Sequence, residues 1–170
     1  IDVFTMSGSS SFSVSKTEQF GQWRSWIPGI AEHFDEFGSV LAIGDVDGDQ
    51  CEDIVVGVPR EDIGSLKDAG MVHIFFGNPQ GFYSFNSKSV RQPSSGIPGV
   101  GPGVVSSNIQ FGAGLAIGDF DGDYRSEISI GMPGKAISTG GSSTAAGAGR
   151  IQVYELTSSR SIQFRQNWNQ

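Results

Sequence analysis

An all-β fold made of repeated four-stranded units is what this sequence predicts, and three observations predict it. Glycine supplies 25 of the 170 residues, about twice its usual share, and phenylalanine 12 of the 18 aromatics. Such a composition favours short strands joined by tight turns over long helices. Two nine-residue acidic stretches, Asp45-Val46-Asp47-Gly48-Asp49-Gln50-Cys51-Glu52-Asp53 and Asp119-Phe120-Asp121-Gly122-Asp123-Tyr124-Arg125-Ser126-Glu127, recur at an offset of 74 residues. Each lies between two apolar runs of strand length.

The repeat extends well beyond the acidic stretches. Phe37-Gly38-Ser39-Val40-Leu41-Ala42-Ile43-Gly44-Asp45 aligns without a gap on Phe111-Gly112-Ala113-Gly114-Leu115-Ala116-Ile117-Gly118-Asp119. Asp53-Ile54-Val55-Val56-Gly57-Val58-Pro59 then aligns on Glu127-Ile128-Ser129-Ile130-Gly131-Met132-Pro133, and Gly70-Met71-Val72-His73-Ile74-Phe75 on Gly149-Arg150-Ile151-Gln152-Val153-Tyr154. A supersecondary unit repeated at this spacing marks a repeat architecture.

Taken in order, Ile1 to Thr5 reads as the third strand of a unit and Ser11 to Val14 as its fourth. The first full unit follows. Val40 to Ile43 and Ile54 to Val58 are apolar enough for strands buried on both faces. Val72, Ile74 and Phe76 alternate with His73 and Phe75, which suits a strand nearer the surface, and Gly81 to Phe85 supplies a fourth. In the second unit Leu115 to Ile117, Ile128 to Met132, Arg150 to Tyr154 and Ser161 to Phe164 take the same places. Four antiparallel strands per unit describe a β-propeller blade. The chain is read as one propeller segment over residues 1–170: a half blade (1–20, strands three and four) and two whole blades (37–90 and 111–165), ten strands in all. A closed propeller takes roughly four to eight blades, so this segment is incomplete as a ring. Three connections are long: 22–36, 92–110 and 138–148, the last (STGGSSTAAGA) low in complexity and expected to be flexible.

Alternating carboxylates in a tight loop repel one another, and a hard cation relieves that repulsion. Ca²⁺ takes six to eight oxygen ligands. In the first loop the donors would be the carboxylates of Asp45, Asp47 and Asp49, the backbone carbonyl of Cys51, and the carboxylate of Asp53. In the second they would be Asp119, Asp121, Asp123, the carbonyl of Arg125, and Glu127. One or two Ca²⁺ ions are therefore the expected cofactors, and an all-oxygen donor set excludes a zinc or copper preference. An EF-hand needs Gly at position 6 and Glu at position 12. Here those positions hold Gln50 or Tyr124 and Val56 or Ile130, so that reading fails. The plainer alternative is a pair of solvated Asp-Gly turns without metal; two copies in register between the same strand pair weigh against it.

The pattern F-G-x-x-x-A-x-G-D-x-D-G-D followed by D-[IV]-x-[IV]-G-x-P resembles the FG-GAP repeat of integrin α-subunit propellers. Phe37-Gly38 and Phe111-Gly112 carry its first half, and Gly57-Val58-Pro59 and Gly131-Met132-Pro133 stand where Gly-Ala-Pro is usual. The resemblance implies a seven-bladed parent ring, calcium loops between the first and second strands of blades on one face, and partner-binding loops on the opposite face. It also implies an extracellular or cell-surface adhesion or assembly role. Two departures stand out: the glycine common at loop position 6 is missing from both loops, and the second loop closes with Glu127.

Trp23 and Trp26 lie in a between-blade connection, where the resemblance places partner contacts; the plainer reading has them plugging a blade interface. His33 and His73 lack ligand spacing and read as structural or surface residues, and Cys51 as a free thiol that can form no disulfide within the chain. The glycines at 38, 44 and 57 and their repeat mates fit close strand packing and sharp turns. No nucleophile, metalloprotease or phosphate-loop motif is present, so no catalytic residue is assigned and any catalysis is expected outside these residues. A net charge of −7 argues against nucleic acid as the partner. One divalent cation in each loop would bring it to −3. No apolar run reaches the roughly 20 residues a membrane-spanning helix needs. A second function stays open: the non-catalytic accessory propeller of a secreted enzyme of phospholipase or hydrolase type. Expected partners are a protein, or further copies or chains that complete a propeller.

Overall fold

In the computed structural model, residues 1–7, 13–25, 27–82, 86–92, 105–140 and 143–169 are described. They form twelve strands and no helix: β1 (Asp2–Ser7), β2 (Ser13–Gln19), β3 (Val40–Gly44), β4 (Asp53–Val58), β5 (Met71–Phe75), β6 (Ser87–Val90), β7 (Gly114–Gly118), β8 (Glu127–Met132), β9 (Ile137–Gly140), β10 (Ser143–Ala145), β11 (Arg150–Leu156) and β12 (Ile162–Asn169). Two four-stranded antiparallel sheets, β3-β4-β5-β6 and β7-β8-β11-β12, are the two blades; β1-β2 and β9-β10 are separate hairpins. The sheets do not close into a barrel, so the blades are those of an incomplete propeller.

Register follows the repeat. Leu41 pairs with Val56 and Val56 with His73; Leu115 pairs with Ile130 and Ile130 with Gln152. Ala42, Val55 and Ile74 alternate onto one face of the first blade, and Ile43, Ile54 and Phe75 onto the other. Each face has its own core. Val55, Val72, Ile74 and Val90 pack against Ile128, Ile130, Tyr154 and Phe111 of the second blade. Ile54, Val56 and Phe75 pack with Phe20 and Ile27, joined by Ile1, Val3 and Phe37.

Several strand expectations need correction. The connection 138–148 is not simply a flexible link, since residues 137–140 and 143–145 pair as β9 and β10. The fourth strand of the first blade is Ser87–Val90 and not Gly81 to Phe85, of which 83–85 lie outside the described residues. Strand β2 starts at Ser13, and residues 11–12 of the expected Ser11 to Val14 strand also lie outside them. β3 is not buried on both faces: Leu41 and Ile43 are exposed, whereas Ile54, Val56 and Phe75 on the same face are covered by Phe20 and Ile27 with Ile1 and Val3. β5, expected nearer the surface, is buried throughout because both cores close over it.

Candidate metal centre

Both acidic loops are turns between the first and second strands of a blade, β3 to β4 and β7 to β8. Their own carboxylates build them. Asp45 Oδ1 accepts hydrogen bonds from the amides of Gly48 (2.7 Å) and Asp49 (3.2 Å), and Oδ2 accepts from Gln50 (2.8 Å). Asp119 does the same with Gly122 (2.6 Å), Asp123 (3.1 Å) and Tyr124 (2.9 Å). Asp47 and Asp49 accept from the amides two residues on, as do Asp121 and Asp123. These Asx-type turns fold the chain so that side-chain oxygens face inward. Gln50 (φ 69°) and Tyr124 (φ 71°) are left-handed, as are Gly48 and Gly122. The missing position-6 glycine therefore leaves the conformation unchanged and adds strain.

Carboxylate oxygens of Asp45, Asp47 and Asp53 lie within 4.8 Å of one another, and so do those of Asp119, Asp121 and Glu127. Of the eight carboxylates expected from the sequence, six fall into these two groups; Asp49 and Asp123 lie at the loop tips, each accepting from the next odd-numbered amide (Cys51 and Arg125). The closing residues differ. Asp53 is fully buried and both its oxygens are used, by the amides of Val46 (2.9 Å) and Gly77 (2.9 Å). Burial pushes its carboxyl up to about 6 despite those two donors, with Asp47 and Asp49 adding to the rise. Glu127 Oε2 accepts from the Phe120 amide (2.8 Å), while its Oε1 is buried without a hydrogen-bond partner. Burial raises the Glu127 carboxyl as well. A buried carboxylate oxygen with no donor is costly, and a cation among Asp119, Asp121 and Glu127 would supply the missing partner. The donor sets thus fit a hard cation.

The loops also differ in cover. Asp47 is 5% exposed, whereas Asp121 is exposed. The cover on the first loop is Arg160, from the β11–β12 turn of the second blade, whose Nε lies 2.5 Å from Asp47 Oδ2. Sequence reasoning missed this residue. Its ion-pair partner lies 113 residues away, and nothing in the local Ser-Ser-Arg-Ser run points to it.

A family model described as the FG-GAP repeat matches residues 37–75, which contain the whole first loop and strands β3 to β5. Integrin alpha-E of Mus musculus is 30% identical over 132 residues, 75% of this chain and 10% of that protein. Integrin alpha-PS5 of Drosophila melanogaster is 29% identical over 98 residues, 57% of this chain and 8% of that protein. The chain carries an FG-GAP repeat and is integrin α-like. Phosphatidylinositol-glycan-specific phospholipase D of Mus musculus is 33% identical over 108 residues, 62% of this chain and 12% of that protein. The chain thus spans about a tenth of the length of the curated relatives it matches.

The FG-GAP glycines sit where the blades touch. Gly57, the first residue of Gly57-Val58-Pro59, lies against the carbonyl of Gly112, the glycine of the second Phe-Gly pair. Of the remaining expectations, Trp23 is 63% exposed with its ring over Gly21, and Trp26 lies outside the described residues. His33 is exposed. His73 is buried between the rings of Phe37 and Phe75, its Nδ1 2.7 Å from Ser89 Oγ; burial lowers it to about 4, so it is a neutral core residue at neutral pH. Cys51 is a free, half-buried thiol.

Proposed function

We propose that this integrin-like segment binds calcium in both FG-GAP loops and serves as an extracellular or cell-surface module for adhesion, protein interaction or assembly. The observation that carries the calcium reading is the duplicated carboxylate group, with Glu127 Oε1 buried and lacking a donor in the second copy. Asp45, Asp47, Asp49, Asp53 and the Cys51 carbonyl serve the first ion; Asp119, Asp121, Asp123, Glu127 and the Arg125 carbonyl serve the second. Calcium supplies positive charge only. It fixes the turn between the first two strands of each blade and so the height at which the blade edge stands. The ion is structural, and the segment itself is non-catalytic.

The units of this reading are a half blade over 1–20 and blades over 37–90 and 111–165, with a protein partner or further blades completing the assembly. Leu41 and Ile43 on one side, and Ile151 and Trp168 on the other, are exposed apolar side chains on the outward blade faces, which supports the need for further chain. Trp23 is an exposed aromatic available to a partner. A second reading, the accessory propeller of a secreted enzyme, is favoured by the likeness to the phospholipase D.

Titration calorimetry with Ca²⁺ on the whole chain tests the calcium reading: heat of binding and a rise in melting temperature are expected. No heat together with no rise overturns it.

A further inference from the structure

The first acidic loop holds a positive charge supplied by the neighbouring blade. Arg160 has a left-handed backbone (φ 60°); its amide donates to the Thr157 carbonyl (2.7 Å), and its own carbonyl accepts from Lys88 Nζ on β6. From that fixed base its guanidinium crosses the blade boundary. Nε donates to Asp47 Oδ2 (2.5 Å), Nη1 to Asn86 Oδ1 (2.7 Å), Nη2 lies 3.5 Å from Asp49 Oδ2, and the guanidinium carbon sits 4.2 Å from the centre of the Phe76 ring. Every one of these partners belongs to the first blade. Among the described residues the second loop has no counterpart. Arg125, its nearest arginine in sequence, is directed at Glu155 and the Leu156 carbonyl. Among the described residues no cationic side chain pairs with Asp119, Asp121 or Asp123.

We propose that Arg160 is an internal competitor for the cation at the first loop, so that ion occupancy there is coupled to the contact between the two blades. This rests on the reading of the loops as calcium sites. A guanidinium and a divalent ion sharing the Asp47 carboxylate repel each other, and little solvent separates them because Asp47 is buried. Arg160 also approaches Asp49 Oδ2 through Nη2, but it does not organise the other donors: Asp45 and Asp53 are held by backbone amides of the first blade, and Asp49 Oδ1 accepts from the Cys51 amide. Removing the guanidinium therefore relieves repulsion and leaves the loop formed. Linkage makes the effect reciprocal. Calcium at the first loop loosens Arg160 from Asp47 by the factor by which Arg160 weakens calcium. The first loop is then the weaker, responsive site, and the second loop the constitutive one.

Calorimetric titration of the whole chain with Ca²⁺ tests this, with Asp47→Asn used to assign the first-loop site. In Arg160→Gln the first-loop affinity should rise about tenfold while the second-loop affinity stays unchanged. In chelator the same variant should melt below the wild type, with the gap narrowing at saturating calcium. Arg160→Lys keeps the charge, so its first-loop affinity should stay near that of the wild type. First-loop affinity that is unchanged or lower in Arg160→Gln, or that rises equally in Arg160→Lys, overturns the inference alone. Calcium uptake by neither the wild type nor Arg160→Gln overturns the calcium reading together with it.

Discussion

Gly57 and Gly112 meet across the blade boundary with no room for a side chain: a Cβ on Gly57 would overlap the Gly112 carbonyl oxygen. The glycine of one repeat's Gly-x-Pro end thus packs on the Phe-Gly start of the next. Gly131 is the repeat mate of Gly57, but a Cβ there would stand 3.5 Å from the nearest atom, Gly114 Cα. The second blade's outer face has no neighbour over it among the described residues. Gly57→Ala should therefore cost about 3 kcal/mol, as overpacking against backbone does. Gly131→Ala should cost nothing and should gain up to about 0.5 kcal/mol from reduced chain entropy in the unfolded state. Urea denaturation of the two variants checks the contrast; equal losses would mean that blade contact is not what selects the glycine.

Ile43 and Ile117 are the same repeat position and have opposite surroundings. Ile117 packs against the inter-blade core and its Cγ2 would lie 2.6 Å from a Cβ on Gly44. Ile43 is 65% exposed. Ile117→Ala should destabilise by about 2 kcal/mol and Ile43→Ala by less than about 0.5 kcal/mol. Thermal denaturation of the isolated chain reads the difference.

What could be read from the sequence divides along the same line. Strands β3, β4, β7 and β8 and both loops were legible because the repeat gives two samples of one pattern, and because local hydrogen bonds such as Asp45 to Gly48 form within a few residues. The cover over each element was not. Leu41 and Ile43 have the apolar signature of a doubly buried strand, yet burial depends on which neighbour reaches the inner edge. β6 escaped notice because Ser87-Lys88-Ser89-Val90 has little hydrophobicity, Val90 being its one buried side chain. Arg160 was invisible because its role arises from a turn conformation and a contact to the other blade.

Tyr124 occupies the left-handed position of the second loop with 97% of its surface exposed. Its side chain thus offsets none of the strain, which costs about 1–2 kcal/mol for a residue with a Cβ. Glycine removes that strain and gives back roughly 0.5–1 kcal/mol through its greater unfolded-state freedom. Tyr124→Gly should therefore stabilise by about 0.5–1 kcal/mol in chelator. A lower melting temperature would show that the strain is absent.

Glu127 and Asp53 close their loops differently, and the difference predicts different dependence on the ion. Both oxygens of Asp53 are satisfied by the amides of Val46 and Gly77, while Glu127 Oε1 has no partner. Glu127→Gln keeps one carbonyl oxygen for the Phe120 amide and removes the charge. In chelator its stability should match or exceed that of the wild type. With calcium, the affinity of the second site should fall at least about tenfold, since charge count sets affinity in such loops. Calorimetry and paired melts with and without chelator check both halves.

Glu61 holds the 22–36 connection onto the first blade, and its protonation should show in the pH dependence of stability. The side chain is 2% exposed; Gln22 Nε2 and the Ile30 amide donate to it. Burial pushes its carboxyl from 4.5 up to about 7, and the charges of Asp35 and Glu32 add to the rise. With the folded value above the unfolded one, the folded chain holds the extra proton between them. The contribution of Glu61 is thus fully favourable below about 4.5 and is lost as pH rises to about 7, after which it is level. The shift corresponds to at most about 3 kcal/mol. The raw profile of the wild type does not isolate this, because His73, lowered to about 4, acts in the opposite sense: its stability contribution is lost as pH falls from 6.5. The difference between the wild type and Glu61→Gln does isolate it. The variant should gain stability relative to the wild type as pH rises from 4.5 to 7, and the difference should then stay constant to pH 8. A difference that is flat across pH 4.5 to 7, measured by urea denaturation at fixed salt, would show that Glu61 titrates as an ordinary surface carboxylate.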